Sequence, residues 1–237
     1  MIDLAQYGSE DSLGLHVFLS NLFWLVSIIL ATIAYRYRRL WNVGDTPWTF
    51  LFLTFIFFWI RELGHFSGSP LIASVRYIFG TLSAIFMSST FILLCSRICR
   101  RKKDSKLVIY MPFIVGTIFP AIMLYLYYTG VEINSIKKTM GLIESIVWIV
   151  AASSIIYTTY MLGMHATGGF TSVFMFFQFS AFAAFTWKLL GLIEIMGSPI
   201  PYSIRESVET LFGLFAIVSM YLLTGMLRKL SKHIYSE

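Results

Sequence analysis

Residues 68–86 read GSPLIASVRYIFGTLSAIF, and residues 197–215 read GSPIPYSIRESVETLFGLF. Aligned without a gap, the two stretches share eight identical residues, including Gly-Ser-Pro and the arginines Arg76 and Arg205. A shared Gly-Ser-Pro followed by an arginine at the same distance indicates an internal duplication, because chance identities in an apolar chain fall mainly on Leu, Ile and Phe. We therefore expect two repeats, with a site near the axis that relates them.

The composition is that of a membrane protein. Hydrophobic residues make up 57% of the chain and charged residues 13%, and the mean hydropathy is +0.76. Runs of roughly 20 apolar residues are long enough to cross about 30 Å of hydrocarbon. They predict an all-α integral membrane protein with seven transmembrane helices, at residues 13–37, 47–66, 71–97, 107–128, 140–163, 170–196 and 203–228.

Lysine and arginine are distributed unevenly between the loops. Clusters around Arg38, Arg101 and Lys229 follow the first, third and seventh predicted spans. The positive-inside rule then places the amino terminus outside and the carboxyl terminus in the cytoplasm. Lys137 and Lys138 are a contrary signal, in the predicted outer loop before the fifth span. The net charge of +6 favours contact with anionic inner-leaflet lipids of the cell membrane, not with nucleic acid.

Weaker matches extend the repeat in the same order. Trp24 corresponds to Trp148, and Arg61 to Lys188. Spans one to three thus correspond to spans five to seven, and span four joins them. This predicts a parallel 3+1+3 repeat. Its parts are a first unit at residues 1–106, a linker helix and outer loop at 107–137, and a second unit at 138–237.

The 3+1+3 helix plan resembles that of SWEET-type sugar transporters, other PQ-loop proteins and microbial rhodopsins. The resemblance implies that one three-helix unit rocks against the other. The residues that mark these families are absent, since the chain contains no Pro-Gln pair. The seventh predicted span has no central lysine, and Lys188 lies on span six. We therefore assign no family and do not expect retinal.

Ionisable side chains inside the predicted spans lie toward the outer ends of the helices. Such groups are costly in hydrocarbon and mark candidate functional sites. Their arrangement has three interpretations: a neutral salt-bridge network, an outward-open pocket for an anionic or zwitterionic solute, or a fringe of snorkelling side chains. The candidate ligand-binding residues are Arg61, Glu62, His65, Arg76, Glu144, Lys188, Glu194, Arg205 and Glu209.

The sequence offers little for catalysis or for a cofactor. No nucleophile motif and no His-x-x-x-His pattern accompanies the carboxylates. Haem between helices would need histidines at matched depths. His16 and His65 form one such pair, whereas His165 and His233 lie at the other side and do not form a second pair. Cys95 and Cys99 supply too few ligands for zinc. We expect no enzyme activity, no cofactor and no metal.

These observations predict a small-solute transporter or channel-like protein with an outward-facing charged pocket. One alternative is a sensory or receptor-type module that signals to a cytoplasmic partner, and another is an assembly subunit whose charges dock a second protein. Hydroxyl and amide groups deeper in the spans, such as Ser89, Ser154 and Gln178, either join helices or continue the pocket inward; helix packing is the favoured interpretation.

Overall fold

The computed structural model describes residues 15–41, 43–66, 70–99, 105–166 and 169–235. Within these ranges the chain is helical, which confirms the predicted all-α class. The seven α-helices are α1 (Leu15–Arg36), α2 (Asp45–Leu63), α3 (Pro70–Ile98), α4 (Lys106–Tyr128), α5 (Ile133–His165), α6 (Phe170–Ile195) and α7 (Tyr202–Tyr235). Short 3-10 turns follow α1 at Arg38–Trp41 and α2 at Gly64–Phe66.

Six of these helices are long and apolar enough to cross a membrane. The exception is α2, whose 19 residues include Asp45 at one end and Arg61 and Glu62 at the other. These charges shorten its continuous apolar run. The helices support a multi-pass membrane protein, in which α2 is held by its neighbours more than by its own hydropathy.

The fifth helix is longer than its predicted span. It begins at Ile133 instead of residue 140, so Lys137 and Lys138 lie in its first turns. Their predicted position in a loop is therefore wrong. Ile136 and Met140, which are four residues apart, are both buried in an apolar cluster. Burial of this helical face extends α5 beyond the most hydrophobic part of its sequence.

Six helices form a closed ring, with neighbours in the order α1, α2, α3, α5, α6, α7 and back to α1. The fourth helix packs outside this ring, mainly against α3. The apolar window of α3 is 83% buried, whereas that of α4 is 17% buried. The most buried of these helices is thus α3, which contacts two ring neighbours and α4. The most peripheral is α4, which contains Pro112 and Pro120.

Five aromatic side chains form a layer across the ring, which we call the aromatic floor: Trp24, Phe58, Trp148, Trp187 and Phe212. The Phe58 ring lies 4.1 Å from Trp24 and 5.3 Å from Phe212 between centroids. Trp148 meets Phe58 and Phe212 edge-on at 5.7 and 5.3 Å. Edge-to-face contacts of this kind add to the free energy of burial. The floor ties α1, α2, α5, α6 and α7 together.

The α6–α7 connection begins at Gly197, the start of the second Gly-Ser-Pro copy. Its φ of 102° lies in the left-handed region, which glycine adopts without steric cost. The Gly197 amide donates to Glu194 O and the Ser198 amide to Ile193 O, the pattern of a Schellman cap. In the first copy, residues 68 and 69 lie outside the described residues.

Candidate functional site

Arg61 is the centre of a buried charge cluster. This side chain of α2 has 3% of its surface exposed. Its Nε donates to Glu144 Oε1 on α5 at 2.9 Å, and its Nη1 donates to Glu209 Oε1 on α7 at 3.1 Å. Nη1 also pairs with Glu62 Oε1. One guanidinium therefore joins three helices, which its planar array of five donors allows.

Lys188 of α6 completes the cluster. Its Nζ donates to Glu144 Oε2 at 2.6 Å, so Glu144 receives one cation on each oxygen. The same Nζ lies 3.7 Å from the centre of the Trp187 ring, and the Arg61 guanidinium lies 4.8 Å from that ring. Cation–π contact is strongest on tryptophan and increases when the cation is desolvated. We call Arg61, Glu62, Glu144, Lys188 and Glu209 the inner cluster.

The aromatic floor lies one helical turn below this cluster. Phe58 precedes Arg61 by three residues, Trp148 follows Glu144 by four, and Phe212 follows Glu209 by three. Residues at these spacings share a helix face. The charged groups and the aromatic rings therefore point into the ring of helices together, and the floor separates the charges from the rest of the bundle interior.

Glu62 has partners on two further elements. Its Oε2 accepts from Ser20 Oγ at 2.9 Å and lies 3.9 Å from His65 Nε2. Glu62 and His65, which are three residues apart, therefore lie on the same side of the chain. Because Ser20 belongs to α1, the cluster also reaches that helix. Side chains of α1, α2, α5, α6 and α7 thus take part in the cluster or contact it.

His65 and Arg76 form a separate pair above the cluster. Arg76 Nη1 lies 3.0 Å from His65 Nδ1 and 3.1 Å from Nε2. Burial lowers the pKa of His65 to about 4, and the positive charges of Arg76 and Arg61 act in the same direction against the pull of Glu62. His65 is therefore neutral at pH 7 and able to accept a hydrogen bond from Arg76.

Arg205 pairs with carboxylates of two helices. Its Nη1 contacts Glu194 Oε2 of α6, and its Nε donates to Glu206 Oε1 of α7 at 3.1 Å. Glu206 is 3% exposed. Arg205 therefore clamps the ends of α6 and α7 together. Arg76, at the matching position of the first Gly-Ser-Pro stretch, is different, since no carboxylate of the described residues is paired with it.

These groups surround one open cavity with a volume of about 450 Å³. Eight of the nine predicted site residues line it, and the ninth, Glu62, lies behind Arg61. The nine candidates do not include Lys137, Lys138 and Glu206, although all three line the cavity. Glu206 was detectable, because it adjoins Arg205 and lies three residues before Glu209. The two lysines were assigned to a loop and so were missed.

The cavity is electrically polarised. Arg76, Lys137 and Lys138, on α3 and α5, form a side that we call the cationic wall. A second group on α6 and α7 has a net charge of −1 and consists of Glu194, Glu206 and Arg205; we call it the acidic wall. Including Arg61, Lys188, Glu144 and Glu209, the lining has six cations and four carboxylates, a net charge of +2. Such a lining attracts anions and orients dipolar molecules.

Hydroxyl groups beyond the floor join helices. Ser83 Oγ donates to Thr54 O at 2.9 Å, Ser180 Oγ to Phe212 O at 3.1 Å, and Thr224 Oγ1 to Leu30 O at 3.2 Å. Each bond links two helices, as is typical of small polar residues in membrane bundles. These contacts favour the packing interpretation of the deeper polar residues over an inward continuation of the cavity.

Among the described residues, no three His, Cys, Asp or Glu side chains are placed to hold a metal ion. The chain was compared with protein families, with curated proteins and with solved structures, and it has no match in any of the three. The class of protein that fold and site define is therefore a multi-pass helical membrane protein with a charged cavity at one end of its bundle.

Proposed function

We propose that this protein binds a small anionic or zwitterionic solute in the charged cavity and carries it across the membrane. The observation that carries the proposal is the charged lining: one cavity of about 450 Å³ is lined by the cationic wall of α3 and α5 and by the acidic wall of α6 and α7. That volume lies within the usual range of small-molecule sites. The ionisable groups serve binding in this proposal, and we assign none of them a catalytic role.

The cationic wall is suited to an anionic group. Lys137 and Lys138 are exposed, Arg76 is half-buried, and none of the three is paired with a carboxylate among the described residues. The Nε of Arg76 is buried and lacks a hydrogen-bond partner there. A carboxylate, phosphate or sulfonate would give this wall the partner it lacks, because a guanidinium donates two parallel bonds to such a group.

The acidic wall is suited to the other end of a dipolar solute. Glu194 and Glu206 share Arg205, so this group has one negative charge in excess. An ammonium group could lie there while the anionic group lies on the cationic wall. A purely anionic solute would use the cationic wall alone. The proposal therefore ranks zwitterions and small anions above cations and sugars.

Two features support a second conformation, which transport requires. Exchanging α1, α2 and α3 with α5, α6 and α7 leaves the neighbour order of the ring unchanged, as the predicted parallel repeat demands. The indole N–H groups of the repeat equivalents Trp24 and Trp148 are buried in the floor without a hydrogen-bond partner among the described residues. Such groups cost roughly 1–3 kcal/mol, a cost that an opened floor would relieve.

A receptor is the second candidate, and the closed aromatic floor is what favours it. A cavity sealed on one side suits detection of a solute, with the signal passed through the helices to the basic end of the bundle. The two candidates share the binding step and differ in whether solute crosses. An assembly role remains an outcome of the same experiment, if neither binding nor uptake is observed.

The test uses the full chain in nanodiscs and in proteoliposomes. Binding and uptake of radiolabelled inorganic phosphate, a monocarboxylate and an α-amino acid are measured. The variant Gly191→Phe fills the cavity without removing a charge, since a Cβ at Gly191 meets no atom within 4 Å. Gly163→Phe on α5 is the matched control, with equal open space and no place in the cavity lining.

We expect at least one probe to bind wild type and Gly163→Phe, and to lose roughly tenfold or more in affinity for Gly191→Phe. Uptake into proteoliposomes supports a carrier, and binding without uptake supports a receptor. If no probe binds, or if Gly191→Phe binds as wild type does, the cavity is not a solute site and the proposal is wrong.

A further inference from the structure

A second recess lies between α1 and α7, away from the charged cavity. Its volume is about 590 Å³. The lining is mostly apolar, and Leu30, Ile33, Tyr221, Leu222 and Met226 form its sides. Two cations, Arg228 and Lys229, stand at one end. Nothing in the solute-binding proposal uses this recess.

Gly225 makes the recess open. A Cβ added there would meet no atom within 4 Å, so the missing side chain leaves a gap along α7. One residue earlier, Thr224 Oγ1 donates to Leu30 O at 3.2 Å. This bond holds α1 and α7 together beside the gap, and the recess is therefore part of the packed bundle.

The depth of the recess follows from the sequence of α7. Residues 210–227 contain no charged side chain, a stretch of about 27 Å at 1.5 Å per residue. This matches the hydrocarbon thickness of a bilayer. Arg228 and Lys229 then lie at one membrane boundary, opposite the end that holds Glu209. Tyr221 is about 10 Å further into the hydrocarbon, so the recess extends inward from the boundary.

The described residues supply no carboxylate that pairs with the cations at this boundary. Arg228 and Lys229 are exposed, and neither is paired with a carboxylate in the described part of the chain. An apolar recess inside the hydrocarbon, with two free cations at its mouth, has the shape and charge of a phospholipid binding site. Free phosphate would satisfy the cations and leave the apolar recess unexplained. Basic residues at a membrane boundary attract anionic lipid headgroups.

We propose that this recess binds one acyl chain of an anionic phospholipid, with the lipid phosphate held by Arg228 and Lys229. The headgroup contacts are electrostatic, and Tyr37 lies near enough to line the same recess. The acyl chain covers Gly225 and packs against the apolar sides of α1 and α7. This site is specific, in that it requires both the recess and the two cations.

The test measures lipid retention by native mass spectrometry. The full chain is equilibrated in nanodiscs with equal amounts of phosphatidylglycerol and phosphatidylcholine and then released. We expect wild type to retain phosphatidylglycerol preferentially. The double variant R228Q/K229Q should lower that preference by roughly 30-fold, from the contribution of two boundary cations. Gly225→Phe should reduce retention of both lipids, because the ring occupies the recess.

Two control variants match these changes. Lys106→Gln removes a cation at the start of α4, on the far side of the bundle from α1 and α7, and Gly163→Phe adds a ring at a glycine outside the recess. Both should retain lipid as wild type does. Equal retention of the two lipids by wild type would overturn the proposal without any variant. So would an unchanged preference in R228Q/K229Q, or displacement of the retained lipid by millimolar inorganic phosphate.

Discussion

The inner cluster and the cationic wall belong to the same cavity but treat charge in opposite ways. In the inner cluster, Arg61 and Lys188 are buried and each is bound to carboxylates. On the cationic wall, Lys137 and Lys138 are exposed and have no carboxylate partner among the described residues. Buried charges must be paired, because the cost of desolvation is large. Exposed charges need no partner and are available to a ligand.

Arg76 and Arg205, which stand at matching positions of the two Gly-Ser-Pro stretches, show the same contrast. Arg205 clamps Glu194 and Glu206, whereas Arg76 contacts His65 and Tyr77. Loss of Arg205 would therefore take a cation away from two carboxylates, whereas loss of Arg76 would not, because the contacts of Arg76 are to an imidazole and a phenol. The two arginines therefore have different contacts, and the following predictions separate their contributions to stability and to binding.

Arg61→Met should have the largest effect. It removes a cation shared by Glu62, Glu144 and Glu209, so buried carboxylates lose their partner. Breaking a buried pair from one side costs about 3–5 kcal/mol. We expect a fall of this size in the free energy of unfolding in detergent micelles. Arg36→Met, which removes an exposed arginine of α1, should change it by less than about 0.5 kcal/mol. Equal stability of the two variants would contradict the view that the paired cations of the inner cluster stabilise the fold while exposed cations do not.

Gly80→Ala tests the geometry of the inner cluster without changing a charge. An added Cβ would overlap Glu144 Oε1 and lie 2.9 Å from Arg61 Cδ, so the ion pair must shift. Overpacking of this kind costs about 1–3 kcal/mol. Gly163→Ala on α5 meets no atom within 4 Å and should gain up to about 1 kcal/mol from helix propensity. The unfolding temperatures of both variants are measured. If Gly80→Ala unfolds at the same temperature as wild type, the Arg61–Glu144 pair does not lie against Gly80.

Arg205→Gln and Arg76→Gln should separate stability from binding. Arg205→Gln removes one charged partner of the buried Glu206 and should cost about 1–2 kcal/mol of unfolding free energy. Arg76→Gln should cost about 0.5 kcal/mol or less, yet lower affinity for an anionic probe roughly tenfold, since a charge-assisted pair contributes about 1.5 kcal/mol or more. Unfolding and equilibrium binding are measured on the same preparations. Loss of stability in Arg76→Gln, with affinity retained, would contradict the division of tasks.

The smallest effect concerns His65 and pH. Its pKa is about 4 in the folded protein and about 6.5 when unfolded. Below pH 6.5 the unfolded chain takes up a proton that the folded chain does not, so stability falls as the pH is lowered toward 4. Between about pH 7.5 and pH 5.5 the loss from this group is about 1 kcal/mol. His65→Gln should remove that part of the pH dependence, whereas His165→Gln, at an exposed position, should preserve it.

Much of the fold was predictable because hydrophobic length is a strong signal. The predicted spans match α1, α2, α3, α4 and α6 to within three residues at each end. The errors lie where amphipathic turns extend a helix beyond its apolar run, as at Lys137 and Lys138. Their side chains were misplaced because a helix end is set by burial of Ile136 and Met140, which pack against residues far away in the chain.

The site was partly predictable for a similar reason. Ionisable residues in apolar segments stand out, and eight of the nine candidates line one cavity. Their pairing was not predictable. Arg61 binds Glu144, 83 positions away, and Glu209, 148 positions away, and no local pattern connects those residues. The aromatic floor was not predictable either. The sequence shows its tryptophans and phenylalanines, but their common layer depends on the packing of five helices.

By itself, the sequence determined the class of the protein and the depth of its charges. Both follow from how hydropathy varies along single helices, since the transfer of apolar and charged groups into hydrocarbon depends on residue type. Only the tertiary structure decided which charges are neutralised and which face open space. That choice depends on distances between side chains of different helices, and a few ångströms there separate a buried ion pair from a free cation.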